Sequence, residues 1–252
     1  MTQVQPSMSQ TDVVVHGIKQ MILDGELAPG DQLPIEKDLG PRLGVSRSSL
    51  REGVRALSMM GVLESRQGAG TFVTQLDPSM LLAPMGFVVD FQGVQGSAQV
   101  HAVRRVLETE AAGLAALRID EEMLDLAESL LDRSTAILEQ SPIDHDAILA
   151  LDIEFHRIVA RASGNAVLES LVVALAPRTV RTRLWRAIAE DRAEQNTIDE
   201  HRAILKALRE RSPQHAEVRM ANHLLAVEEF LRERPVPDDV DLPDVLSTPE
   251  VR

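Results

Sequence analysis

Four side chains in the second half of the sequence have the types and spacing of metal ligands. Asp152 and His156 lie four residues apart in LDIEFHRIV. On a helix that spacing stacks them on one face. Two further imidazoles, His201 and His223, lie eleven residues before and eleven after Ser212. Ser212-Pro213 reads as the apex of a helical hairpin, and equal rise along both arms brings the two rings level. One carboxylate and three imidazoles suit Zn²⁺ first, with Mn²⁺, Ni²⁺ or Fe²⁺ as alternatives. The blander description, polar residues at helix edges, fits the same four positions. A metalloenzyme would also want a general base or nucleophile, and none flanks these residues in sequence, so no catalytic residue is assigned. His16, His101, His145 and His215 have no partners at comparable spacing and receive no role.

A second chemistry lies near the start. Arg47, Ser48, Ser49 and Arg51 fall in the first turns of one helical stretch, and Arg55 follows a turn later. A helix entering the major groove presents side chains to base edges from those turns. Arg can fork onto guanine or phosphate, and Ser can bond either. Gly68 and Gly70, in the run RQGAG, lack a Cβ and would let a loop approach a duplex closely. The whole chain carries a net charge of −13, which opposes phosphate binding. The charge is unevenly divided, however. Residues 37–66 hold Lys37, Arg42, Arg47, Arg51, Arg55 and Arg66 against Asp38, Glu52 and Glu64, a local surplus of three positive charges.

These side chains need elements to hold them. The expected N-terminal order is a polar, disordered stretch over 1–10, then a winged helix-turn-helix over 11–76. Thr11 is placed to cap the first helix, whose apolar face carries Val14, Ile18, Met21 and Ile22. A short second helix carries Leu39 and Leu43 and closes at Gly44. Ser46 caps the third, with Leu50, Val54, Leu57 and Met60 at helical spacing. Strand-like Val62–Ser65 and Thr71–Thr74 flank the glycine loop. Residues 77–96 read as a linker with a short apolar helix, and Gln92–Ser97 as a break. From 97 to 234 the pattern is all-helical, in segments 97–118, 120–140, 143–162, 165–190, 194–211 and 213–233. That is a mainly α chain, with an antiparallel helical bundle after the winged domain. An acidic, disordered tail over 235–252 completes it. Aromatics are only 2% of residues, so Leu, Val, Ala, Ile and Met must fill the core, which favours packed helices. The absence of Cys excludes disulfides and thiolate chemistry and fits a reducing cytoplasm. The first ten residues carry no secretion signal, and no apolar run approaches bilayer length.

The N-terminal residues resemble the GntR family of transcriptional regulators. The resemblance rests on Leu33-Pro34-Ile35-Glu36-Lys37-Asp38-Leu39, Leu43-Gly44-Val45-Ser46-Arg47, Leu50-Arg51-Glu52, Arg55-Ala56-Leu57, Gly61-Val62 and Gly68 to Val73. It implies that Lys37 contacts the DNA backbone, that Ser46, Arg47, Ser49 and Arg51 take the operator-contacting positions, and that Gly68 is the wing tip. Arg42, in the basic patch, joins them as a DNA contact. The sequence departs from the pattern at Ile35, which removes a helix cap, and at Gly40-Pro41, where Pro should distort the second helix. The later residues resemble the FCD effector domain of FadR-type regulators. Its marks are Val103-Arg104-Arg105-Val106-Leu107-Glu108, Asp152 to His156, Ser163-Gly164-Asn165, Glu200-His201 and Asn222-His223. This resemblance implies a divalent metal on Asp152, His156, His201 and His223, and an anionic effector, often a carboxylate, held in part by Arg104. Arg183 and Asn165 are further pocket candidates, with structural roles as the alternative for both. The expectation is a cytoplasmic homodimeric repressor on double-stranded operator DNA, controlled by an organic acid beside the metal. A regulator answering to metal alone and a metalloenzyme are the alternatives.

Overall fold

The computed structural model describes residues 8–76 and 93–236. The chain divides after Leu81 into two compact units. The expected linker helix over 79–91 and the acidic tail from Pro237 onward lie outside the described residues.

In the first unit, α1 spans Gln10–Leu23 and buries Val14, Ile18 and Met21. Its cap is Ser9, not Thr11. Ser9 and Asp12 form a reciprocal capping box, each side chain taking the other's backbone N–H. Thr11 lies inside the first turn and donates instead to Glu52 Oε2 at 3.3 Å. Helix α1 thus starts earlier than the expected boundary at residue 11.

Helix α2 spans Glu36–Leu43 and has no side-chain cap, because Ile35 offers no acceptor. Pro41 sits inside it without ending it. The lost bond is the one to the Lys37 carbonyl. Lys37 and Pro41 are both exposed, so water can take over that carbonyl. Gly44, at φ 67°, closes α2 in a left-handed cap that a Cβ would disfavour. Helix α3 spans Arg47–Met59 and is capped by Ser46, whose Oγ accepts from the Ser49 N–H at 3.2 Å. Leu50, Gly53 and Leu57 face the core. Strands β1 (Leu63–Arg66) and β2 (Gly70–Val73) form an antiparallel hairpin that pairs Leu63 with Val73 and Arg66 with Gly70. The stretch before α2 ties the hairpin down. Leu33 N donates to Thr71 O at 2.7 Å and Val73 N to Asp31 O at 2.9 Å.

The second unit is helical. Helix α4 spans Gly93–Arg118. The expected break over 92–97 is therefore corrected, because the helix begins at Gly93 and runs through Gly96. A glycine costs a helix about 1 kcal/mol but does not forbid it. Next come α5 (Glu121–Leu138) and α6 (His145–Ala162). The single helix expected over 165–190 is two, α7 (Ala166–Leu175) and α8 (Val180–Ala189), joined by a 3₁₀ turn over Ala176–Thr179. Pro177 explains the interruption, since it has no N–H to continue the ladder. Helices α9 (Ala193–Arg209) and α10 (Pro213–Glu233) form the expected hairpin about Ser212. The core comes from α4, α5, α6, α9 and α10 and includes Ala112, Ile119, Leu124, Phe155, Ile204, Leu208 and Met220. Gly113 marks the close approach of α4 and α10, where a Cβ would collide with the Glu217 side chain. At the far end of α10, Trp185 Nε1 donates to the Arg234 carbonyl at 3.1 Å, and Arg234 Nη1 donates to Ala189 O at 2.9 Å. Both bonds fasten the end of α10 to α8.

Candidate functional site

Helix α6 supplies Asp152 and His156, α9 supplies His201, and α10 supplies His223. The three imidazoles are buried, with Asp152 partly so. One ligand atom from each of the four lies within 4.8 Å of every other. His201 Nε2 is 3.2 Å from His223 Nε2 and 3.6 Å from Asp152 Oδ1, and His156 Nε2 is 4.0 Å from that oxygen. Donors bound at 2.0–2.2 Å around a tetrahedral ion stand roughly 3.3–3.6 Å apart, so small shifts would complete such a shell. His201 and His223 therefore stand level across the α9–α10 hairpin, as their equal spacing from Ser212 requires.

The chemistry of the donor set also fits a divalent ion. His156 Nε2 is buried without a hydrogen-bond partner, a costly state that a cation would relieve. Burial, reinforced by the neighbouring imidazoles His223 and His156, holds His201 well below the usual histidine range. Burial likewise lowers His223 to about 4, against the opposing hydrogen bond to the Glu200 carboxylate. Neutral imidazole is the form that ligates metal. Phe155 stacks on His201, with ring centroids 4.3 Å apart, and so fixes that ring from behind.

A cleft with about 600 Å³ of space, counting its open mouth, adjoins these ligands. Arg104, Arg183, Arg186 and His101 line it together with Asp152, His156 and His223. Ile148, Leu149, Leu184, Leu224 and Val227 supply apolar wall. Arg104 is 1% exposed, and its anion is internal: Nε donates to Glu108 Oε1 at 2.6 Å and Nη1 to Thr179 Oγ1 at 2.8 Å. Its Nη2 has no partner. Burial would raise the Glu108 carboxyl, but Arg104 and His156 outweigh it and hold Glu108 well below the carboxylate range. Arg183 is in contact with Asp152 Oδ2, while its Nη1 has no hydrogen-bond partner. Burial, and then repulsion from Arg104, makes the Arg183 guanidinium easier to deprotonate than usual.

Asn165 is the site residue that the structure moves elsewhere. It is exposed at the start of α7, where its Oδ1 accepts from Val167 N and Leu168 N. It is a helix cap and does not line the cleft. The turn Ser163-Gly164-Asn165 already carried that signal. Sequence reasoning missed His101, Glu108, Glu200, His145 and Glu194. His101 is 1% exposed, with Nε2 2.8 Å from Thr182 Oγ1. His145 Nδ1 meets Glu194 Oε1 at 2.9 Å, and both line the cleft. Arg104 and Glu108 stand four apart on one helix, a signal that could have been read as a pair.

In the first unit, Lys37, Arg42, Ser46, Arg47, Arg51 and Gly68 are exposed and Ser49 is half-buried. Ser46 Oγ lies 2.9 Å from Ser49 Oγ, so both hydroxyls are engaged at the start of α3. Arg51 Nε donates to Glu36 at 2.8 and 3.1 Å, and Arg42 pairs with Glu26. Arg47 and Lys37 carry no such pair in the described residues. Gly68 adopts φ 73° at the turn between β1 and β2, a conformation that favours glycine.

A winged helix-turn-helix with a basic, serine-capped third helix defines a DNA-binding regulator, here joined to a helical domain that contains a cleft. Residues 10–73 match the bacterial regulatory proteins of the gntR family, and residues 99–226 match the FCD domain. The chain is 32% identical to the HTH-type transcriptional regulator LutR of Bacillus subtilis, over 84% of this chain and 96% of that protein. It is 29% identical to the HTH-type transcriptional repressor NanR of Klebsiella aerogenes, over 86% of this chain and 83% of that one. A solved GntR structure from Streptococcus agalactiae superposes with a TM-score of 0.68 at 29% identity, covering 87% of this chain and 99% of that one. The chain belongs to the GntR family and carries an FCD domain. It is a DNA-binding transcriptional regulator and not an enzyme. Among the described residues no helix is long and apolar enough to cross a membrane.

Proposed function

We propose that the protein is a cytoplasmic homodimeric repressor whose grip on operator DNA is set by a small carboxylate bound beside a divalent metal, zinc first among the candidates. The observation that carries this reading is the four-donor cluster of Asp152, His156, His201 and His223, opening onto a cleft where Arg104 Nη2 lacks a partner. A carboxylate could take that guanidinium edge with one oxygen and lay its carbon chain against Leu149, Leu184 and Val227. Lys37, Arg42, Ser46, Arg47, Ser49, Arg51 and Gly68 would meet DNA, and two copies would read a pseudo-palindrome. The repressor sign follows NanR, a transcriptional repressor to which this chain is similar.

One observation favours a second reading, a sensor of metal alone. Both cleft arginines that reach the ligands already have internal carboxylates, Glu108 for Arg104 and Asp152 for Arg183. A single experiment separates the two. Protein loaded with Zn²⁺ or stripped by chelator is mixed with labelled DNA from upstream of its own gene, with and without a panel of short organic acids. Release by an acid in the Zn²⁺-loaded protein supports the first reading. A shift that follows Zn²⁺ and ignores every acid supports the second. No specific shift under any condition would refute both.

A further inference from the structure

We propose that Glu108 is a positioning residue for the metal centre and that it makes the centre and Arg104 report to one another. This inference rests on the metal reading above. His156 offers Nε2 to the ligand cluster. Its other nitrogen, Nδ1, is in contact with Glu108 Oε2. The second oxygen of Glu108 accepts from Arg104 Nε. All three side chains are at most 2% exposed. One buried carboxylate is therefore shared between a ligand imidazole and the guanidinium whose remaining edge lines the cleft.

A carboxylate that deep is costly unless cations or N–H groups surround it. An apolar side chain at 108 would have completed the helix face without that cost. Holding Nδ1 of a ligand histidine has a recognised effect. It selects the tautomer that leaves Nε2 free, orients the ring and makes it a stronger donor. His223 has a parallel arrangement, with Nδ1 2.7 Å from Glu200 Oε2. Among the described residues Glu200 has no arginine paired to it, so the two carboxylates differ in one respect. Only Glu108 is divided between a ligand and the cleft. An anion that drew Arg104 toward itself would leave more of the Glu108 charge on His156. By linkage, a tighter metal centre would favour that anion equally.

The test uses the full-length chain and Zn²⁺ alone as probe. Affinity is read by competition with a chromogenic chelator, and circular dichroism shows each variant folded at the assay temperature. E108Q keeps an acceptor of the same shape but loses the charge. E108Q and E200Q should each weaken Zn²⁺ by roughly 10- to 100-fold. R104M should tighten Zn²⁺ by roughly 2- to 10-fold in the parent background and leave it unchanged in E108Q. Equal tightening in both backgrounds would mean that Arg104 acts on the ion directly, and the proposed link would be wrong. Parent-like affinity in E108Q would overturn the positioning role while leaving the metal reading intact. Failure of the parent protein itself to bind Zn²⁺ would overturn both.

Discussion

Arg104→Met should destabilise the helical unit by about 3–5 kcal/mol, and the reason is the charge it leaves behind. Arg104 and Glu108 are 1% and 2% exposed and 2.6 Å apart. Removing one member of such a pair strands the other in a medium that solvates it poorly. The pair itself contributes little net stability, because both charges had to be desolvated to form it. Replacing both residues by Met should therefore recover most of the loss. Recovery should stop about 1–2 kcal/mol short of the parent, because Thr179 and His156 each lose a partner. For a domain of this size, 3–5 kcal/mol lowers the melting temperature by roughly 6–20 °C. Urea titrations and thermal melts of the parent, the single and the double variant supply the numbers. If the double variant were as unstable as the single, lost packing rather than stranded charge would be the cause. The reasoning would then be refuted.

Zn²⁺ at about 100 times its Kd should stabilise the parent by about 2.7 kcal/mol, and His223→Ala should abolish the effect in a thermal shift assay. His101→Gln addresses pH. Burial, with Arg104 and Arg183 adding repulsion, lowers His101 to about 3. It stays neutral in the fold but protonates in the unfolded chain below about 6.5. The unfolded state therefore binds more protons, and stability falls as pH drops from 6.5 toward 3. The slope from this one group is about 1.4 kcal/mol per pH unit. The variant should show a pH slope smaller by that amount in urea titrations between pH 6 and 4. Ser46→Ala removes the α3 cap and should cost the N-terminal unit about 1 kcal/mol in the same measurement. Gly53→Ala sets a Cβ 2.5 Å from Val14 Cβ and should cost about 1–3 kcal/mol, despite the better helix propensity of Ala.

What could be read from the sequence depended on how local the signal was. The α9–α10 hairpin has one turn and uniform rise, so counting from Ser212 was enough to bring His201 beside His223. The third helix and its Ser46 cap were legible for the same reason. Glu108 was not, because its contact with His156 joins α4 to α6 across the whole of α5. No spacing rule reaches that far. His101 was passed over because its partner, Thr182, lies on α8 behind the Pro177 interruption. Some misses were avoidable. Ser9 and Asp12 stand in capping-box register, and Asn165 follows a glycine just before an apolar run. Gly96 misled in the other direction, since it is buried within α4 and packing overrode its weak helix propensity.

Trp185 is the sole tryptophan in a chain without tyrosine. It sits between Arg183 and Arg186 on the helix that walls the cleft. Its indole N–H rests on the Arg234 carbonyl. Near-ultraviolet emission from this protein therefore originates at one known spot, without a label. A shift in its wavelength or yield would register any molecule that displaced α8 or loosened the end of α10. Collections of unlabelled acids and metal salts could then be screened in a cuvette before any promoter sequence is known.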